Sequence, residues 1–153
     1  MVVRVRDAAP GDLDALVRFN LAMARETEGL QIDAERLRAG IGAALSDPAK
    51  GRYWIAECDG AVVGGVLVTH EWSDWRNAMF WWIQSVYVDP AHRGRGVFTA
   101  LYRHVERVAT AAGCCGLRLY VHEHNERARA VYYKLGMVSS GYQVLETPDP
   151  LKK

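Results

Sequence analysis

The sequence predicts an α/β (α+β) domain with a central sheet of about seven strands and about four helices. Three observations predict it: short β-branched alternating runs, amphipathic runs at helical spacing between them, and an Asp59-Gly60 pair typical of a two-residue hairpin turn. The predicted order is β-α-α-β-β-β-α-β-α-β-β, without a repeat or a linker. We therefore expect one domain over residues 1–147 and a C-terminal tail over residues 148–153.

The first part of the chain predicts one strand and two helices. Val3 and Val5 alternate with arginines, which indicates a short strand. The segment 10–12, Pro-Gly-Asp, is expected to open a helix whose apolar side chains continue at helical spacing to Ala24. Asp33 is a candidate cap for a second helix that stops before Pro48.

Three strands are expected next, over residues 53–58, 61–69 and 80–88, with the polar segment 70–78 as a long hairpin connection. A helix with an apolar face from Phe98 to Ala112 follows, and Gly113 is placed to end it. A strand over 117–121, a helix over 126–135 ended by Gly136, and closing strands over 137–138 and 142–145 complete the prediction.

Composition narrows the function classes. The formal net charge is +1, so no overall field favours nucleic acid or an acidic membrane. The N-terminus alternates and no apolar run could span a bilayer, which predicts neither a signal peptide nor a membrane segment. The three cysteines are odd in number and lack zinc-site spacing, so we expect a reducing, cytoplasmic setting, no disulfide framework and no metal.

The segment from Val86 to Thr99 carries the strongest local signal. A β-branched run ends at Asp-Pro, passes through a loop with two arginines and two glycines, and enters a helical pattern. The first N–H groups of a helix have no intrahelical partner and lie in positive potential, which favours phosphate. Gly94 and Gly96 carry no Cβ, so a ligand can approach the main chain closely. This turn is predicted to hold a phosphate.

Two motifs and the element order resemble the GCN5-related N-acetyltransferase (GNAT) superfamily. The loop motif Gln/Arg-x-x-Gly-x-Gly/Ala corresponds to residues 93–98, with Phe98 at the final small position. The helix motif Asn-x-x-Ala-x-x-x-Tyr-x-x-x-Gly-Phe corresponds to residues 125–137, with Met137 replacing Phe. The resemblance implies a mixed, largely antiparallel sheet with a splay between its fourth and fifth strands. It also implies N-acetyl transfer from acetyl-CoA to a primary amine of a small molecule or protein.

The resemblance also implies where acetyl-CoA binds. Main-chain amides of the loop hold the pyrophosphate, and the central strand pairs with the pantetheine arm as an added strand would. Arg93 and Arg95 add charge near the phosphates or are solvated loop charges. Asn125 caps the last helix, bonds to the acetyl-CoA arm, or does both. The cofactor-binding candidates are Val86, Tyr87, Val88, Arg93, Gly94, Arg95, Gly96, Val97, Phe98, Thr99, Asn125 and Tyr132.

The catalytic candidates are Tyr132, Gln84 and His122. Tyr132 is at the position of the family's general acid, although its apolar stripe also suits a core residue. Gln84 is at the position where many members have a Glu that acts as the general base, and an amide cannot take a proton at neutral pH. A water ordered by Gln84 and Ser85, or a side chain such as His122, Glu28, Glu71 or Glu123, would then remove the amine proton, and an imidazole titrates in the suitable range.

The acceptor candidates are two carboxylates and two indoles: Glu28, Glu71, Trp75 and Trp82. Aromatic rings beside carboxylates suit an ammonium group, and hairpin packing or a dimer contact explains the rings equally well. Trp81 and Trp82 are adjacent on a strand, so one of them is expected in the core. An acyl-CoA-binding sensor without catalysis is the alternative function, and a homodimer paired through residues 142–145 is an open alternative.

Overall fold

The computed structural model describes residues 2–148, and the chain divides into two compact units between Tyr120 and Val121. The single domain expected over 1–147 therefore stays a prediction, and the expected tail, except for residue 148, lies outside the described residues. The first unit contains β1 (Val3–Asp7), α1 (Leu13–Glu28), α2 (Ala34–Ser46), β2 (Arg52–Cys58), β3 (Ala61–Ser73), β4 (Ala78–Val88), α3 (Val97–Ala111) and β5 (Gly116–Leu119). The second unit contains α4 (Glu126–Lys134).

The sheet is mixed and largely antiparallel, as the resemblance implied. Its strands follow the order β1-β2-β3-β4-β5, and every neighbouring pair is antiparallel except β4 with β5. The described residues form five strands and four α-helices, so the expected number of helices is confirmed and the number of about seven strands is wrong.

The two closing strands are the difference. Residues 137–138 and 142–145 form no strand in the described chain. Their apolar side chains other than the half-buried Met137 are exposed, with 84% for Val138 and 90% for Leu145, and a strand needs a partner edge or a buried face to be stable. The apolar residues Tyr142, Val144 and Leu145 therefore indicated a strand that this part of the chain does not form.

The connection expected over residues 70–78 is also shorter than predicted. β3 continues to Ser73 and β4 begins at Ala78, so only residues 74–77 form the turn. Pairs such as His70 with Trp81 extend the ladder, and their rings lie 5.3 Å apart at the centroids. Cross-strand aromatic pairs of this kind stabilise a hairpin, which polarity alone did not reveal.

Two adjacent glycines let helices approach both faces of the sheet. A Cβ on Gly65 would lie 3.0 Å from Leu16 of α1, and one on Gly64 would lie 3.4 Å from Val97 of α3. Neighbouring residues of a strand face opposite sides, so α1 and α3 cover opposite faces. α2 packs beside α1, where Ile41 and Leu16 belong to one buried cluster. The Asp33 cap of α2 is confirmed, because its side chain accepts from the amides of residues 35 and 36.

Candidate functional site

The predicted phosphate loop connects β4 to α3 in the first unit. A single 3₁₀ turn, Pro90–His92, is capped by Asp89, and Gly94 and Gly96 follow with φ of 72° and 83°. A Cβ at either glycine would meet no atom within 4 Å, so both Cα atoms border open space. Gly96 is the N-cap of α3 and offers no side chain to the first-turn N–H groups. The main chain of this loop is therefore open to close approach by a ligand.

The side chains of this loop divide into anchoring and exposed groups. Val97 is fully buried, which fixes the start of α3 on the sheet, and Phe98 is half-buried. Arg95 and Thr99 are exposed. Arg93 donates to Glu26 at 2.7 Å and to the Val88 carbonyl at 2.9 Å, so its charge is compensated.

The edge of β4 beside the loop lacks a strand partner in the described residues. β5 pairs with β4 only over Phe80–Ile83, and residues 84–88 have β3 on their other side alone. The unpaired stretch lies where the resemblance implied a splay between the fourth and fifth strands. Val86, Tyr87 and Val88, expected to meet the pantetheine arm, are all on this unpaired stretch. An amide-rich ligand can add to such an edge as another strand would.

A β-bulge marks the point where the edge becomes open. Leu67 is opposite Ser85 and Val68 is opposite Ile83, so Gln84 is the extra residue of β4. The extra residue reverses the alternation of faces. Trp81 stacks on Trp54 near α3, whereas Tyr87, also odd-numbered, lies 5.4 Å from the ring of Phe19 on α1.

Three predicted residues meet in an open cleft of about 400 Å³ beside this bulge. Glu71 and Trp82, both acceptor candidates, lie there with Gln84, a catalytic candidate. Trp81 faces the other side and is buried, which confirms that one of the two adjacent indoles belongs to the core. The cleft is lined by Thr69, His70, Glu71, Trp82, Gln84 and Tyr120.

Hydrogen bonds fix the polar groups of the cleft. The Trp82 indole donates to Glu71 Oε1 at 2.6 Å, and Arg118 Nη1 donates to the same oxygen at 3.2 Å. Gln84 Nε2 donates to Thr69 Oγ1 at 2.9 Å, so the amide oxygen of Gln84 can accept a hydrogen bond from water or a substrate. The Glu71 carboxylate is thus held beside an indole and balanced by an arginine.

Two acceptor candidates lie outside this cleft. Trp75 is at the tip of the β3–β4 hairpin and is 87% exposed. Glu28 is the last residue of α1 and is also exposed. The structure therefore brings together half of the predicted acceptor set.

The second unit contains the remaining catalytic candidates. Asn125 caps α4, because its Oδ1 accepts from the Ala128 amide at 3.1 Å, which confirms the capping interpretation. Tyr132 is half-buried on α4. His122 is exposed, and its Nδ1 accepts from the His124 amide at 3.2 Å.

Sequence reasoning missed several residues around the cleft. Thr69 and His70 were assigned to a strand end and a connection, and Tyr120 and Arg118 received no role. The alternation Leu117, Arg118, Leu119, Tyr120 was the available signal, since it gives one face of β5 a polar, aromatic character. Burial, with a smaller effect of Arg52, lowers the pKa of His70, so a neutral imidazole borders the cleft near pH 7.

Two absences concern the described residues only. No cluster of three or more His, Cys, Asp or Glu side chains is arranged to hold a metal ion within residues 2–148. Within the same range, none of the helices combines the length and the apolar composition needed to cross a bilayer.

The family is shown by comparison with known proteins. The model of the acetyltransferase (GNAT) family matches residues 17–137. A thialysine N-epsilon-acetyltransferase of Bos taurus is 30% identical over 148 residues, covering 88% of this chain and 83% of the relative. The chain belongs to the acetyltransferase (GNAT) family. It is an N-acetyltransferase, and these enzyme relatives do not favour the inactive-sensor alternative.

Solved structures agree on the fold. A structure described as a possible acetyltransferase from Clostridium difficile 630 has a TM-score of 0.90 and 38% identity, covering 96% of this chain and 97% of that one. An aminoglycoside N-acetyltransferase in complex with CoA has a TM-score of 0.80 at 16% identity, covering 97% and 95%. The second match shows the fold alone.

Proposed function

We propose that this enzyme transfers the acetyl group of acetyl-CoA to a primary amine bound in the cleft beside the β4 bulge. The observation that carries the proposal is the loop of residues 93–99, where two positive-φ glycines border open space at the start of α3. A pyrophosphate requires close main-chain approach and several N–H donors, and this loop offers both. The residues present therefore fit the donor that the family uses.

The main chain of β4 supplies the second part of the donor site. The unpaired edge beyond Ile83 offers N–H and C=O groups to the pantetheine arm, since that arm contains two amides. The Val86 amide is the proposed donor to the acetyl oxygen as negative charge develops there. Arg95 is the proposed additional charge near the phosphates. A role of Asn125 toward the donor, beyond its cap, remains a proposal from the family motif.

The acceptor amine is proposed to enter beside Glu71 and Trp82. The Glu71 carboxylate lines this cleft together with the rings of Trp82 and Tyr120, whose centroids lie 4.6 Å apart, and an alkylammonium would share the carboxylate with Arg118. The bovine relative is named for a lysine-like amine, which supports a lysine-type acceptor. Glu28 and Trp75 remain candidates for a longer acceptor that extends beyond the cleft.

The reaction removes two protons from the bound ammonium and gives one to sulfur. Nitrogen loses the first proton to become nucleophilic, attacks the thioester carbonyl and forms a C–N bond. The C–S bond then breaks, nitrogen loses its second proton and the departing sulfur takes one, so one proton is released overall. Tyr132 is the proposed acid for sulfur, on the strength of the helix motif. His122 is the proposed base for nitrogen, with a water held by the Gln84 amide oxygen as the alternative route.

Binding and turnover test the proposal directly. Titration calorimetry should detect acetyl-CoA binding, and a panel of lysine analogues, polyamines, aminoglycosides and peptides should release CoA with at least one amine. No binding of acetyl-CoA would overturn the proposal. Binding without turnover of any amine would restore the sensor alternative.

Tyr132→Phe tests the acid. The variant should lose at least tenfold in kcat with little change in acetyl-CoA affinity, because only the proton donor is removed. Tyr133→Phe is the matched control, since its half-exposed ring is the next residue of the same helix. Equal kcat in the two variants, with chemistry shown to be the slow step, would remove this role from Tyr132.

The cellular setting and the assembly of the protein are part of the proposal. Cys58, Cys114 and Cys115 are all free thiols, which supports a reducing compartment such as the cytoplasm. A homodimer stays a proposal supported by the exposed apolar side chains of Tyr142, Val144 and Leu145.

A further inference from the structure

A cluster of three side chains ties α1 to the end of β4 and to the phosphate loop. Glu26 of α1 accepts from the Arg93 guanidinium at 2.7 Å and from the Tyr87 hydroxyl at 3.0 Å, one donor on each carboxylate oxygen. Glu26 is 61 positions from Tyr87 and 67 positions from Arg93 in the sequence. The cluster lies beside the proposed donor site, but none of the roles assigned so far uses Glu26.

We propose that Glu26 is a positioning residue that holds the phosphate loop in its anion-binding shape through Arg93, and that Arg93 is a tether and not a phosphate ligand. This inference rests on the proposed binding of acetyl-CoA at that loop. Arg95 and the main-chain amides then supply the positive potential that attracts the phosphates.

The contacts of Arg93 support the tether. Its Nε donates to the carbonyl of Val88, the last residue of β4, at 2.9 Å, while Nη2 holds Glu26. Its guanidinium carbon lies 5.2 Å from the centroid of the Tyr87 ring. Arg93 is thus held by an acid, a carbonyl and a ring face, immediately before Gly94. To reach a phosphate, the guanidinium would have to leave these three partners.

The position of the tether explains its value. Gly94 and Gly96 give the loop its open main chain, but glycine loses more conformational freedom on ordering than any other residue. Fixing the residue directly before Gly94 lowers the entropy that binding must otherwise remove. Glu26 also compensates the Arg93 charge, and the hydrogen bond from Arg93 holds the pKa of Glu26 below its usual range, so the ion pair persists at neutral pH.

A double-mutant cycle tests the inference. Glu26→Gln, Arg93→Gln and the double variant are titrated with acetyl-CoA and with S-acetylpantetheine, which lacks the pyrophosphate. Each single variant should raise the Kd for acetyl-CoA about three- to tenfold, and the double variant should be no weaker than the weaker single one, because both changes break one connection. The KM for acetyl-CoA should rise while kcat at saturation is retained.

The opposite assignment of Arg93 gives different results. If Arg93 contacts phosphate, Arg93→Gln weakens acetyl-CoA binding whether or not Glu26 is present, and Glu26→Gln leaves the Kd unchanged or lowers it by releasing the arginine. Either pattern overturns the inference. S-acetylpantetheine should bind the variants as it binds the wild type, since it lacks the pyrophosphate that the loop holds, and an equal loss for both ligands would show that the substitutions disturb β4 and not the loop.

Two further variants separate the inference from general destabilisation and from the proposed function. Asp14 lies on α1 like Glu26, and Asp14→Asn, which breaks its exposed ion pair with Arg38 of α2, should leave the Kd for acetyl-CoA unchanged. Tyr87→Phe removes only the hydroxyl and should give a smaller loss in the same direction. Unfolding midpoints show that each variant is folded. Wild-type protein that fails to bind acetyl-CoA refutes the proposed function, whereas wild-type binding with an unaffected Glu26→Gln variant refutes this inference alone.

Discussion

Gly96→Ala tests whether the loop before α3 is an anion site, because strain and lost binding can be separated by a matched control. Gly96 has φ 83° and open space beyond its Cα, so an alanine there is strained but meets no atom. An L-residue in this region costs about 1–2 kcal/mol, partly offset by the lower entropy of the unfolded chain. We therefore expect a loss of about 1 kcal/mol in the free energy of unfolding.

The same substitution should cost much more in binding. The new methyl group would occupy the surface that a pyrophosphate must approach, and losing one charge-assisted hydrogen bond costs roughly 1.5–3 kcal/mol, or about tenfold to a hundredfold in Kd. Gly113→Ala is the control, because Gly113 follows the other end of α3 with φ 77° and open space. Denaturant unfolding should rank the two variants together, and calorimetry with acetyl-CoA should separate them. Equal Kd values would refute the placement of the phosphates at Gly96.

Three other predictions concern packing, charge and the base. Gly64→Ala should destabilise the protein by about 1–3 kcal/mol in denaturant unfolding, because its Cβ would lie 2.8 Å from a carbonyl of β4. The control, Gly42→Ala, is in open space on α2 and should stabilise the protein. Equal effects of the two substitutions would contradict the packing argument. The hydrogen bond from Arg6 lowers the pKa of Asp12 below 3.8, so the ion pair stabilises the fold above that pH. Its contribution to the free energy of unfolding disappears as the pH falls through the pKa of the folded state. In Asp12→Asn the free energy of unfolding should lack this dependence on acid pH and should be about 2 kcal/mol lower at pH 7. If His122 is the base, His122→Gln should remove the acid limb of the pH profile of kcat/KM, because the variant lacks the group that takes the amine proton; an identical profile in both proteins would exclude it.

Local signals predicted much of the fold. Features that depend on the conformation of a few consecutive residues could be predicted from the sequence. These are the Asp59-Gly60 turn, the Asp33 and Asn125 caps and the glycine-rich turn before α3. The proposed donor site could be located in the sequence for the same reason. Its proposed contacts come mainly from the main chain of one continuous segment, so the spacing of a few consecutive residues is enough to indicate it.

Features that depend on contacts between residues far apart in the sequence could not be predicted from it. The strand over residues 142–145 was expected from its apolar side chains, but apolar residues do not show whether a sheet edge is available to pair with them. The roles of Arg118 and Tyr120 required knowing that β5 lies parallel to β4. Glu26 was one acid among several at the end of α1 until Arg93 and Tyr87 were placed on its two oxygens.

The bulge at Gln84 connects these local and long-range features. Without the extra residue, strict alternation would turn Tyr87 to the same face as Trp81, away from α1 and Glu26. With it, Trp82, Gln84 and Tyr87 are directed to the α1 side, so the cleft and the Glu26 contact share one face. β5 also ceases to pair after Ile83, where the bulge begins. One inserted residue in β4 thus puts the polar cleft proposed for the amine on the face that carries the Glu26 contact, at the point along β4 where the edge proposed for pantetheine becomes unpaired.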